Sequence, residues 1–124
     1  MTGAQRIPTS GPTDERPRER DWWLERDEHG VTAHGPRGPM AHVEVREDGD
    51  RVRLDFSVEE RLPHDLHARL TSLAFEHPSL RPQRLVSAAF PLREADILIE
   101  VRAHVAGAST RAAGTTCLLD GRVT

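Results

Sequence analysis

Cys117 is the single cysteine of the 124-residue chain and so its one possible thiol nucleophile. A catalytic thiol needs a base within reach. If residues 105 and 111 pair across a turn at Gly107-Ala108-Ser109, Cys117 faces Ile99 on an apolar surface. His104 then lies on the opposite face and toward the other end, and Cys117 reads as a small buried hydrophobe. Of seven histidines, His64 and His67 are three apart at the start of a predicted helix and could share a face. His42 and His104 could meet Asp55 on the polar face of a sheet. Neither group has a cysteine or third ligand at zinc spacing, so no metal centre is expected. The carboxylates of Glu44, Asp55 and Glu100 could do acid–base work. Their spacing serves cross-strand ion pairs with Arg46, Arg51, Arg53 and Arg102 equally well. The chain contains no glycine-rich phosphate loop, nucleophile elbow, HExxH or cysteine-rich zinc signature. The expectation is a non-catalytic protein with no cofactor.

Composition narrows the partner. A formal charge of −3 and a pI near 6.1 argue against a general nucleic-acid binder, though not against a local basic face. All 17 basic residues are arginine, and Lys, Asn and Tyr are missing. Those three use AT-rich codons, so a GC-rich bacterial genome explains the bias before function need be invoked. Hydrophobic residues make up 36% and aromatics 4%, a thin aliphatic core that a partner or second copy could complete. No apolar run approaches membrane-spanning length and no signal peptide is visible, which predicts a cytoplasmic protein without membrane contact.

The elements that position these residues centre on Met40–Val58. Asp48-Gly49 suits a two-residue type I′ turn. Counting outward, Val45 faces Val52, Val43 faces Leu54 and Ala41 faces Phe56 on one apolar side. Arg46, Arg51, Glu44, Arg53, His42 and Asp55 fall on the other. Before this hairpin, residues 1–20 read as a disordered tail and 21–124 as one domain. Trp22-Trp23 opens the ordered chain, with 22–26 and 31–34 as a small first hairpin around Asp27–Gly30. Adjacent strand residues point to opposite faces, so one tryptophan should join the core and the other remain available to a partner. After the hairpin, Leu62–His77 is predicted helical, with Leu62, Leu66, Leu70, Leu73 and Ala74 on one side and Pro78 as its stop. Residues 84–90 and 96–105 alternate in hydrophobicity and read as a second hairpin. Thr-Thr-Cys-Leu-Leu favours a strand over a helix in 111–119.

The predicted fold is α+β: a small, mainly antiparallel sheet of two hairpins plus a final strand, with one main helix on one face. Its helix-free face would carry His42, Arg46, Arg51, Arg53, Leu98, Arg102 and His104. With Trp22 and Trp23 these arginines, Leu98 and His104 are the candidate binding residues. The function expected is a binding or regulatory module that associates with a protein partner or with a second copy of itself. The alternative is an RNA- or ribosome-associated factor that uses the arginine-bearing face. Single-strand RNA readers stack bases on aromatics, and this face has few, which ranks protein first.

Overall fold

A computed structural model of the chain describes residues 5–7, 22–59 and 62–124. Eight strands form one sheet in the order β1-β2-β3-β4-β5-β6-β8-β7. They are β1 (Gln5–Ile7), β2 (Trp23–Asp27), β3 (Gly30–Gly35), β4 (Gly38–Asp48), β5 (Arg51–Val58), β6 (Leu85–Pro91), β7 (Val105–Ala113) and β8 (Thr116–Val123). Helices α1 (His64–Phe75) and α2 (Ala95–Ala103) share a core with one sheet face. The small antiparallel sheet with one helix is therefore corrected: the sheet is large and mixed, with one parallel pair and two helices. The tail expected over 1–20 contains β1, which pairs with β2; its remainder lies outside the described residues.

The first two hairpins form where turn residues and alternation place them. Asp27 accepts the backbone N–H groups of His29 and Gly30, closing the β2–β3 turn. Gly30 then passes so near β4 that a Cβ would lie 1.9 Å from the Val43 carbonyl oxygen, so only glycine fits. In the β4–β5 hairpin, Val43, Val45, Val52, Leu54 and Phe56 all face the core. The register, however, is two residues from the predicted one. Asp48 pairs with Arg51, and Gly49 takes the first loop position at φ 68°. Among the described non-glycine residues only Gln83 has positive φ, so Asp50 keeps an ordinary conformation and the loop fits type II′, not I′. A two-residue slip preserves which side chain faces where.

The larger correction follows α1. Leu62, Leu66, Leu70 and Ala74 are buried along one side of it, as predicted. From there the chain enters β6, which lies parallel to β5 instead of opening a hairpin. A parallel partner requires a crossover, and α1 supplies it. Residues 96–105, read as the returning strand, are α2 and the start of β7. Their branched residues alternate in sequence but not in burial: Ile97 and Val101, four apart, are fully buried, while Ile99 is 61% exposed. Asp96 in the first turn and Arg102 in the last complement the helix dipole. Residues 116–123 then form β8, antiparallel to β6, and β7 closes onto β8 as the edge.

Candidate functional site

Two places bring polar side chains together. One is the opening between β5 and β6. Their pairing ends at Asp55 and Ala89. Beyond that point β5 stays on β4 as far as Val58, and β6 stays on β8 as far as Pro91. The sheet therefore divides at the carboxyl ends of its parallel pair, and both helices begin there. Ligands of open α/β sheets favour such a crevice. Phe56 and Phe90 meet edge to face at its base, with ring centroids 6.0 Å apart. Above them, His67 of α1 meets Glu94 at the start of α2 at 2.9 Å, with both side chains over 90% buried. Asp96 lies 3.7 Å from the other nitrogen of the ring. The sequence reading placed His67 in a solvated pair with His64 and gave Glu94 no role. The parallel crossover that joins the two helix starts is not visible in local patterning.

The other is the sheet face that no helix among the described residues covers. At its β2–β3 end, Trp23 stacks on His34 at 5.3 Å, and His34 meets Glu25 at 2.7 Å. Thr32 and His42 are hydrogen-bonded across β3 and β4. Arg46 and Arg53 stand directly opposite each other, as do Glu44 and Asp55. The predicted register sets Glu44 against Arg53, His42 against Asp55 and Arg46 against Arg51. In the observed one, Arg46 reaches Asp55 diagonally across the two strands at 3.2 Å, and Arg53 lies 3.6 Å from it along β5. Arg51 donates to Ser87 and to Asp120, and Ser87 donates to Asp120 at 2.6 Å. The result is a row of local polar groups spread from β2 to β8.

Of the predicted binding residues, Trp23, Arg46, Arg51 and Arg53 share this face. Trp22 is buried in the core. Leu98 and Arg102 belong to α2 on the other side of the sheet. His104 caps α2 and stacks on Phe75 at 4.6 Å. These three are corrected because 96–104 is helix, not strand. Among the described residues no group of three or more His, Cys, Asp or Glu side chains is arranged to hold a metal ion, and the side chain of His64 lies outside them. No helix among the described residues is long and apolar enough to cross a membrane.

Two titrating groups mark the ends of the polarity scale. On the exposed rim, the Glu47 carboxyl is held below its usual range by the Ser79 hydroxyl first and Arg84 next. Inside, burial pushes the Cys117 thiol up. Cys117 is packed in β8 between Phe90 and Ala112, a core position as the sequence suggested, although Ile99 is not its neighbour. Its reaction with a disulfide reagent at pH 8 should be about 100-fold slower than that of free cysteine. Unfolding in urea should remove the difference, and rapid labelling of the native protein would show that the thiol is accessible.

No family model matches the chain, and no curated protein matches its sequence. Among solved structures it is similar to a Sphaerobacter thermophilus DSM 20745 protein provisionally named an acetyltransferase. The TM-score is 0.52 at 15% identity, over 97% of this chain and 82% of that one. That likeness shows a shared fold.

Proposed function

We propose that the protein is a non-catalytic binding module that docks a protein partner on the helix-free sheet face. The row of hydrogen-bonded and ion-paired side chains on that face carries the reading. Its side chains are already held by neighbours, so little rotamer freedom remains to be lost on binding. Trp23 and three arginines supply the residue types that dominate interface energies. Arg46, Arg51 and Arg53 each have a carboxylate within 4 Å, which favours a mixed-charge protein surface over an RNA backbone. The test is native mass spectrometry of the protein isolated from its own host. A retained protein should be lost from Trp23→Ala/Arg53→Glu while the Tm changes by only a few degrees. Undiminished retention by that folded variant would sink the reading.

A second reading, acyl transfer, has the opening between β5 and β6 and the fold of the named neighbour in its favour. An acyl carrier with a diphosphate would need backbone N–H donors at a helix start. Here that region carries Glu59, Asp65, Glu94 and Asp96, and Pro63, the residue preceding α1, lacks an N–H. Acetyl coenzyme A is therefore expected to leave the Tm unchanged. A ligand held 100-fold above its Kd adds about 2.7 kcal/mol, which raises the Tm of a domain this size by about 10 °C. A rise of that size would put acyl transfer first.

A further inference from the structure

We propose that β7 is an acceptor edge: an extended, acid-bearing segment of a partner protein adds to the sheet along Ser109–Ala113. The backbone edge of β7 lies beyond the residues assigned to docking on the helix-free face, although Arg111 reaches that face through Asp120, and the inference stands or falls independently of that reading. Among the described residues β7 pairs only with β8 and ends the sheet. Residues 109–113 are exposed on both faces, so the helical layer stops short and leaves room for another strand. A register shift between Ala106 and Ser109 interrupts the edge toward its start. Such irregularities protect an edge from pairing, which confines the receptive stretch to these five residues.

The alternation of an antiparallel ladder fixes which backbone groups are available. Ala113 and Thr116 flank the two-residue turn, so they form a hydrogen-bonded pair, as do Arg111 with Leu118 and Ser109 with Asp120. Thr110 and Ala112 therefore direct their N–H and C=O groups outward. An added strand recovers those hydrogen bonds. Its side-chain preference comes from Arg111, which is 68% exposed and only loosely engaged by Asp120 at 3.8 Å. An acid opposite it completes a cross-strand ion pair. β7 itself contains no acid, so no self-pairing register of this strand satisfies Arg111. That favours a different partner over a second copy.

The test uses two synthetic peptides, acetyl-TVTETVT-amide and its lysine counterpart TVTKTVT, titrated to low-millimolar concentration into the labelled full-length protein. The glutamate peptide should bind about fivefold more tightly than the lysine one and slow amide exchange at Thr110 and Ala112. Arg111→Glu should invert the preference. Ala112→Pro should abolish binding by both peptides without lowering the Tm appreciably, because its N–H faces outward and not toward β8. No binding, equal affinities, or unchanged binding by Ala112→Pro would each overturn the proposal. Exchange protection at β7 that grows with protein concentration in the absence of peptide would assign the edge to a second copy instead.

Discussion

Val52→Asp is expected to abolish folding, whereas Arg53→Ala, one residue along β5, is expected to leave the fold intact. Val52 is fully buried, between β4 and β6 in the middle of the sheet. The substitution forfeits about 1.5–3 kcal/mol of apolar burial and adds several more for a carboxylate with no partner. Together these approach the whole stability of a small domain, about 5–15 kcal/mol. Arg53 points to the helix-free face, and its ion pair at 3.6 Å to Asp55 is half exposed. Such a pair is worth about 0–1 kcal/mol. Circular dichroism and urea unfolding of the two variants decide the matter. A folded Val52→Asp beside a collapsed Arg53→Ala would mean that the two faces of the sheet are exchanged.

That experiment depends only on the faces, which is the part of the fold most legible in the sequence. Alternation in Ala41–Phe56 records which side chain meets the core, and any even shift of register leaves that record unchanged. The register itself was less legible. Direct opposition would match Glu44 with Arg53, whereas Arg46 and Asp55 satisfy each other on the diagonal. Gly49 could serve either loop position, and local chemistry alone does not choose between them. The α1 stripe is readable because Leu66, Leu70, Leu73 and Ala74 mix spacings of three and four, and Leu73 breaks the alternation a strand would need.

The segment 95–103 was not readable in the same way. Ile97, Ile99 and Val101 satisfy strand alternation, and branched residues favour it. What overrides that preference is tertiary: β8 and β5 occupy both edges of β6, so the segment after β6 has no sheet position beside it. It packs as a helix against α1, at the cost of leaving Ile99 in solvent. The same rearrangement moved Leu98, Arg102 and His104 off the candidate face. It also created the buried contact between His67 and Glu94, which no spacing in the sequence announces.

That contact supports the second large prediction. Glu94→Ala should cost about 3 kcal/mol, because it removes the carboxylate that His67 Nε2 meets at a buried site. Glu94→Gln should cost less, since an amide oxygen can still accept from the His67 ring. Replacing both members with His67→Leu/Glu94→Leu should recover much of the loss, as buried pairs often exchange for apolar ones at little net change. Urea unfolding of His67→Leu, Glu94→Leu and the double closes the cycle. If Glu94→Ala costs less than about 0.5 kcal/mol, within the range of an ordinary surface substitution, the pair does not hold the helices together. The amide exchange of Ile97 and Leu98 gives a local readout, since both N–H groups bond to the Glu94 carbonyl. Fast exchange there in Glu94→Ala, with the rest of the sheet protected, would show that the pair fixes the start of α2. A carboxylate that anchors the start of α2, three residues past the end of β6, is poorly placed to admit an anionic carrier there. The same variant therefore bears on function: acetyl coenzyme A binding that appears only when Glu94 is removed would identify the pair as what closes that opening.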